Sequence, residues 1–334
     1  MDPAVGRSVG DGAGNRAGEG VAGKPSVTIV EVAPRDGLQN EKEMVGTADK
    51  VALIARLAGF GATRIEVASF VNPRRVPQMA DAEHVIAALP PRPARGYSAI
   101  GLCLNPRGVE RALATRELPN GGLDEAGCVL VATDAFGIRN QGQTVADGIA
   151  ANRAMLKAAK AGGLFAQVTI SAAFGCPFEG AVPPERVVAL AEAMAEAGAE
   201  EIALADTIGV AVPAQVTDLV ARVREAVGHV PVRIHLHDTR GLAPANAWAA
   251  YEAGVRVFDS ALGGLGGCPF APKATGNVAT EELVYLFERS GVATGLRLEA
   301  ALEANRWFAG VMGRALPSRV GRAGDFVVAE RQAA

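Results

Sequence analysis

The stretch EIALADTIGVAVPAQVTDLVARVREAVGHVPVRIHLH, Glu201–His237, shows the unit from which the chain is built. A short apolar run, Glu201–Ala205, precedes a helical pattern over Pro213–Val227, which begins at a proline and ends before Gly228. Proline at the first position and glycine after the last are typical helix boundaries. A second strand-like run, Val232–His237, follows. The stretch therefore predicts two parallel strands joined by a crossover helix.

The same alternation of strand and helix covers the chain from Val27 onward, and it gives eight strand–helix pairs. The predicted strands are Val27–Val32, Thr63–Ala68, Tyr97–Cys103, Cys128–Thr133, Phe165–Ser171, Glu201–Ala205, Val232–His237 and Arg256–Ser260. Eight pairs imply an α/β fold, a closed (β/α)8 TIM barrel, here with a C-terminal helical extension. An open doubly wound sheet is the alternative, and it is weakened because no Gly-x-Gly-x-x-Gly turn follows the first strand.

Two regions are predicted: a disordered N-terminal tail over residues 1–24 and a single TIM-barrel domain with its extension over residues 25–334. The tail consists mainly of Gly, Ala, Asp and Arg without a periodic apolar pattern, so burial cannot offset the entropy of ordering it. A single domain is expected because barrels of about 250 residues routinely form one.

Composition excludes several functional classes. A formal net charge of -3 provides no basic surface for nucleic acid. No apolar run reaches the roughly 20 residues needed to span a bilayer, so a cytoplasmic protein without membrane contact is expected. The four cysteines are widely spaced in a long chain, which favours reduced thiols over a disulfide scaffold.

Polar residues at the ends of the predicted strands are the first candidates for function, because the active site of a TIM barrel lies at the C-terminal ends of its strands. They are Arg35, Asp36, Glu66, Arg139, Asn140, Asp206, His235, His237, Cys268 and Asn277.

A metal site is indicated by His235 and His237, which lie two residues apart in the run IHLHDTRG. On a strand both imidazoles project to the same face and can reach one ion. The alternative is a pair of hydrogen-bonded histidines. A carboxylate from Asp36 and an amide oxygen from Asn277 would complete a mixed nitrogen and oxygen set, which suits Mg²⁺ or Mn²⁺.

Arg35 and Cys268 have two interpretations each. Arg35 and Asp36 would diverge on a strand, but both can face the pocket where the strand enters a turn at Gly37. On the dipeptide alone they could be a surface arginine beside a turn aspartate. Cys268 lies in the glycine-rich run ALGGLGGCPF, where unusual backbone angles are allowed, although an isolated cysteine is usually a small buried residue.

Segments along nearly the whole chain, from about Val27 to Leu298, resemble the 3-hydroxy-3-methylglutaryl-CoA lyases of the DRE-TIM metallolyase superfamily. In order they are VEVAPRDGLQNE (Val30–Glu41), IEVASFVNPRRVPQMAD (Ile65–Asp81), GCPFEG (Gly175–Gly180), ADTIGV (Ala205–Val210), IHLHDTRG (Ile234–Gly241), ALGGLGGCPF (Ala261–Phe270) and ATGNVATEELVY (Ala274–Tyr285).

The resemblance implies a retro-aldol cleavage of 3-hydroxy-3-methylglutaryl-CoA, or of a related 3-hydroxyacyl-CoA, to acetyl-CoA and acetoacetate or the corresponding keto acid. It also implies an acyl-CoA substrate, a homodimer and a divalent ion, Mg²⁺ or Mn²⁺. The implied metal ligands are Asp36, His235, His237 and Asn277. The implied catalytic residues are Arg35, Asp36, Glu66, Asp206, His235 and Cys268.

The sequence departs from these lyases at Thr169 and Arg240, where they typically or often carry tyrosine, and in the segment SAAFGCPF, Ser171–Phe178. The smaller Thr169 leaves more room near the acyl group, which favours a bulkier or differently substituted substrate.

Two other functions are weighed against the lyase. Claisen-type condensing synthases of the same superfamily typically read RDGEQ, whereas Leu38 stands here in place of that glutamate. They also read HxHND, whereas Asp238 here directly follows His237. A noncatalytic CoA-binding barrel would need to have lost a catalytic group, and all of those named above are present in the sequence.

Overall fold

A computed structural model of the chain shows strands and helices in regular alternation over the residues that the structure describes, 25–267 and 276–326. The strands β1 to β8 are Thr28–Glu31, Arg64–Ser69, Ser98–Cys103, Glu125–Val131, Phe165–Ser171, Glu201–Asp206, Val232–Leu236 and Val257–Ser260. The helices α1 to α12 are Thr47–Gly59, Ala82–Ala87, Arg92–Arg95, Pro106–Ala114, Asp134–Gln141, Val145–Ala161, Pro184–Glu196, Pro213–Val227, Ala243–Glu252, Thr280–Arg289, Leu298–Met312 and Arg319–Ala323.

The eight strands form a closed parallel barrel in which each strand pairs with the next one along the chain. β1 and β8 close the barrel through four residue pairs, from Thr28 with Val257 to Glu31 with Ser260. The predicted TIM barrel is therefore confirmed. An open doubly wound sheet is excluded, because such a sheet would leave two unpaired edge strands.

Apolar side chains fill the space between the barrel and its helices. Leu53, Leu57, Val220 and Phe287, all on helices, are almost completely buried. The Phe287 ring of α10 packs 5.0 Å from the ring of Phe258 in β8. Because helices cover the outer face of every strand, the strands are apolar along most of their length, as the sequence pattern predicted.

Charged side chains occupy the N-terminal end of the barrel interior. Arg64 at the start of β2 donates hydrogen bonds to Glu125 at 2.6 and 3.0 Å, and to Glu201 at 2.8 and 2.9 Å. β4 accordingly begins at Glu125, three residues before the predicted start at Cys128. The prediction missed the first three residues of β4 because a glutamate is rarely found inside a barrel unless a buried cation pairs with it.

The C-terminal extension consists of α11 and α12, which pack beside α10. The predicted tail over residues 1–24 and Cys268 lie outside the described residues. Within the described ranges, no helix is long and apolar enough to cross a membrane.

Candidate active site

A cleft of about 670 Å³ opens at the C-terminal ends of the strands. Its lining includes seven of the polar residues predicted from strand ends: Arg35, Asp36, Glu66, Arg139, Asn140, His235 and His237. Its volume falls in the range of small-molecule sites, about 300–1,000 Å³. The barrel geometry thus brings residues that are far apart in sequence to one mouth.

Arg35 and Asp36 lie in a π-helical turn, Ala33–Gly37, that follows β1 directly. The buried carboxylate of Glu31 accepts a hydrogen bond from the backbone N–H of Ala33 at 2.9 Å, which fixes the entry to this turn. In a helical turn, neighbouring side chains do not alternate between opposite faces as they do on a strand. Both side chains can therefore line the cleft.

The Arg35 guanidinium joins two carboxylates. It donates to Glu66 Oε2 at 2.7 Å and to Asp36 Oδ1 at 2.6 Å. Burial raises the pKa of Asp36, but Arg35, the two histidines and the hydrogen bond from Asn277 together outweigh burial and hold that pKa below its ordinary value. For Glu66, burial dominates over Arg35 and the pKa is raised. Two carboxylates on one arginine therefore have opposite tendencies to hold a proton.

The two histidines of β7 and the turn after it point into the same cleft, with ring centroids 5.2 Å apart. One potential ligand atom from each of Asp36, His235 and His237 lies within 4.8 Å of the others. Burial, followed by the nearby His235, lowers the pKa of His237 to about 4. His237 is therefore neutral at physiological pH, which is the form that binds metals.

Asn277 completes the cluster from the other side. Its amide Nδ2 donates to Asp36 Oδ2 at 2.8 Å and to the Leu265 carbonyl at 3.1 Å. Gly266 permits this approach, since its φ is +113° and a Cβ there would lie 2.7 Å from Asn277 Nδ2. Among the described residues, the buried Asn277 Oδ1 and His237 Nδ1 have no hydrogen-bond partner.

These orphaned polar atoms beside a carboxylate fit a divalent cation, because burying unpaired polar atoms is otherwise costly. The net charge of the barrel interior also fits a divalent cation. One network of ion pairs and hydrogen bonds joins Arg35, Arg64, Arg233, Asp36, Glu66, Glu125, Glu201, Asp259 and His235. When all five carboxylates are ionised and His235 is neutral, the three arginines leave two negative charges, which one divalent ion would neutralise.

Asp206 is not brought into the cleft. Its carboxylate accepts hydrogen bonds from the backbone N–H groups of Val210 at 2.8 Å and Ala211 at 3.0 Å. Its neighbours Ala205 and Thr207 line the cleft. Side chains alternate along a strand, so Asp206 between them faces the other way. Its predicted catalytic role stays a prediction, as does that of Cys268.

Sequence reasoning missed two buried residues beneath His235. Asp259 in β8 and Arg233 in β7 both line the floor of the cleft, and Asp259 Oδ2 lies 3.0 Å from His235 Nδ1. Each is a charged residue in a buried strand. That pattern is rare without a buried partner, and it was the signal that could have found them.

Comparison with known proteins assigns the chain to a family. The profile of the family described as HMGL-like matches residues 26–307. The chain belongs to the HMGL-like family. It is 46% identical over 307 residues to the (R)-citramalyl-CoA lyase of Chloroflexus aurantiacus, covering 90% of this chain and 95% of that protein. It is 39% identical to a hydroxymethylglutaryl-CoA lyase of Bacillus subtilis, covering 88% and 95%.

A solved structure of this family has the same fold. A hydroxymethylglutaryl-CoA lyase from Acinetobacter baumannii, in complex with coenzyme A and 3-methylmalate, aligns with a TM-score of 0.85 and 36% identity, covering 91% of this chain and 97% of that one. The protein is thus a carbon–carbon lyase of the HMGL-like family, and the predicted resemblance is confirmed. The homodimer stays a prediction.

The cluster generates a prediction about metal binding. His237→Ala should weaken Mn²⁺ binding by more than the roughly 10–100-fold that loss of an outer-shell partner costs. Electron paramagnetic resonance of free Mn²⁺ in a titration of the metal-free protein measures the change. His84→Ala, on the exposed face of α2, is the matched control and should bind like wild type. Equal affinity of all three proteins would contradict the proposed ligand set.

Proposed function

We propose that the protein cleaves 3-hydroxy-3-methylglutaryl-CoA, or a closely related 3-hydroxyacyl-CoA, by a retro-aldol reaction that requires Mg²⁺ or Mn²⁺. The observation that carries the proposal is the grouping of Asp36, His235 and His237 beside Arg35 in one cleft, with Asn277 hydrogen-bonded to Asp36. Nitrogen and oxygen ligands with positions left open for substrate are typical of a catalytic site for these ions.

The four ligands would hold the metal at the mouth of the barrel. When bound, the ion supplies Lewis acidity that lowers the pKa of a substrate hydroxyl and fixes an adjacent carboxylate. The carboxylates of Asp36 and Glu66, both hydrogen-bonded to Arg35, would take the hydroxyl proton, and His235 would act as a metal ligand. Burial raises the pKa of Glu66, which makes it the stronger base of the two, whereas the lowered pKa of Asp36 keeps this ligand ionised.

Arg35 is proposed to stabilise the negative charge that develops on the thioester oxygen as the bond between C2 and C3 breaks. Its guanidinium is held at two edges by Glu66 and Asp36, so its position is fixed before substrate arrives. A preorganised donor costs little reorganisation at the moment of reaction. The bond cleavage releases the keto acid and leaves the enolate of acetyl-CoA.

Cys268 is proposed to protonate that enolate on carbon, which yields the methyl group of acetyl-CoA and leaves a thiolate. The thiolate then regains a proton, and this proton balances the one removed from the substrate hydroxyl. The proposal for Cys268 rests on its sequence context and its family, since the residue lies outside the described part of the chain.

A second candidate substrate is (R)-citramalyl-CoA, favoured by the 46% identity to a lyase that is named for it. The same bond cleavage would then release pyruvate with acetyl-CoA. Both substrates carry a tertiary hydroxyl and a carboxylate that a metal can chelate together. They differ by one methylene between the carbinol carbon and the carboxylate.

The test is a panel of acyl-CoA esters with identification of the keto acid. With Mn²⁺, 3-hydroxy-3-methylglutaryl-CoA should give acetoacetate and acetyl-CoA, and chelation should abolish turnover until Mn²⁺ or Mg²⁺ is restored. A higher kcat/KM for (R)-citramalyl-CoA, with pyruvate as product, would select the second candidate. Cleavage of neither ester, or full activity in metal-free protein, would refute the proposal.

Thr169 is expected to influence the choice of substrate. It lines the cleft beside Val129 and Ala205, in a wall of small side chains. Thr169→Tyr should shift relative kcat/KM toward 3-hydroxy-3-methylglutaryl-CoA and away from bulkier esters, because the added ring occupies the acyl pocket. Thr217→Tyr, on the exposed surface of α8, is the control. Unchanged ratios across the panel would rule out Thr169 as a determinant.

Cys268→Ser should lower kcat by orders of magnitude, because a hydroxyl is a far weaker acid than a thiol, while Mn²⁺ affinity stays close to wild type. Activity assays measure kcat and direct titration measures Mn²⁺ affinity, so the effect on proton transfer is separated from any effect on metal binding. Cys176→Ser is the control: its thiol is buried 3.1 Å from the Thr133 hydroxyl, and this variant should retain substantial activity. Near-normal turnover of Cys268→Ser would reassign that residue to packing.

A further inference from the structure

A buried carboxylate lies directly beneath the candidate metal site. Asp259, in the middle of β8, is 5% exposed. Its Oδ2 lies 3.0 Å from His235 Nδ1, and its Oδ1 accepts a hydrogen bond from Arg233 NH1 at 3.0 Å. Asp259 has no role in the mechanism proposed above, and the family assignment does not explain why this carboxylate is buried here.

The contact with Asp259 involves one nitrogen of the His235 ring and leaves the other facing the cluster. His235 Nε2 lies 4.0 Å from Asp36 Oδ2, on the side where the ion would sit. An ionised carboxylate can only accept, so Nδ1 must carry the proton in the contact with Asp259. In a neutral ring the lone pair is then on Nε2, which is the form that binds a metal at that position.

Arg233 holds Asp259 in place. Besides its hydrogen bond to Asp259, the Arg233 guanidinium donates a hydrogen bond to Gln167 Oε1, and its Nε lies 3.2 Å from Glu201 Oε1. The carboxylate is thus fixed at both oxygens, one by an arginine and one by an imidazole. Because the side chains of Arg233 and Asp259 hold each other in place, Asp259 fixes the orientation of the His235 ring.

The other histidine lacks such a partner. His237 Nδ1 is buried without a hydrogen-bond partner among the described residues. The two imidazoles are therefore unequal before any ion binds: His235 is preset in orientation and in tautomer, whereas His237 is not.

We propose that Asp259, clamped by Arg233, is a positioning residue that fixes the Nδ1-protonated tautomer of His235 and so prepares Nε2 for the divalent ion. The role in metal binding rests on the proposed function. The tautomer itself is a property of the metal-free protein and can be measured independently of activity.

The experiment uses the four histidines of the chain, few enough to resolve by nitrogen-15 NMR of the imidazole rings in metal-free protein. Spectra are recorded at alkaline pH, where the rings are neutral, and His235→Ala identifies the His235 signals. Wild type should show His235 protonated on Nδ1. Asp259→Asn should shift the population toward the Nε2-protonated form, because the amide can present its NH₂ group to Nδ1. Mn²⁺ affinity should fall by roughly 10–100-fold.

Glu125→Gln is the matched control. It makes the same carboxylate-to-amide change in the same buried network, but Glu125 contacts Arg64 and Gln167 and not His235. This variant should keep the wild-type tautomer and nearly wild-type Mn²⁺ affinity. An equal loss of affinity in Glu125→Gln would attribute the effect to network charge and overturn the proposal.

Retention of the Nδ1-protonated form and of Mn²⁺ affinity in Asp259→Asn would also overturn it. If that variant does not fold, wild type alone decides, since an Nε2-protonated His235 in metal-free protein contradicts the assignment. A wild type that has the expected tautomer and binds Mn²⁺, but cleaves no acyl-CoA, would refute the proposed function while leaving this inference intact.

Discussion

The structure of the barrel depends on pairing buried carboxylates with buried arginines. A charge inside a barrel is costly unless a partner lies within hydrogen-bond distance. Arg64 satisfies Glu125 and Glu201 at the N-terminal end, while Arg35 satisfies Asp36 and Glu66 at the mouth. These contacts run through the interior from the closed end to the cleft. These ion pairs fix the side chains beneath the cleft, so the residues of the candidate active site rest on a rigid base.

Another buried carboxylate, that of Glu31, joins the mouth of the barrel to the C-terminal segments. Glu31 accepts the N–H groups of both Ala33 and Leu262 and the hydroxyl of Thr280. Burial raises the pKa of Glu31 to about 7. The turn that carries Arg35 and Asp36 is thereby connected to the segment after β8, from which Asn277 reaches Asp36. The candidate ligands from opposite ends of the chain are thereby connected through the contacts of Glu31.

The cleft combines a strongly polar wall with a small apolar one. Thr169, Val129 and Ala205 line the cleft with small side chains, whereas Arg233 and Asp259 close the floor. Such a division agrees with the proposed substrates, which join a hydroxy acid to a short branched carbon chain. The similarity to lyases named for two such esters agrees with this, and the difference between them is a single methylene. Selectivity on that scale is worth only about 1–3 kcal/mol and depends on the shape of a few side chains.

The sequence by itself determined the order of strands and helices, the barrel and the family, because apolar periodicity and segment order are local properties of the chain. It also placed His235 and His237 on one face, since strand alternation is local. Only the tertiary structure decided that Asp206 turns away from the cleft and binds the backbone N–H groups of Val210 and Ala211. Likewise, only the fold paired Asp259 with His235 and extended β4 to Glu125, because these depend on partners far away in sequence. The role of a buried charge depends on the residue that neutralises it, and closure of the barrel decides which residue lies close enough to do so.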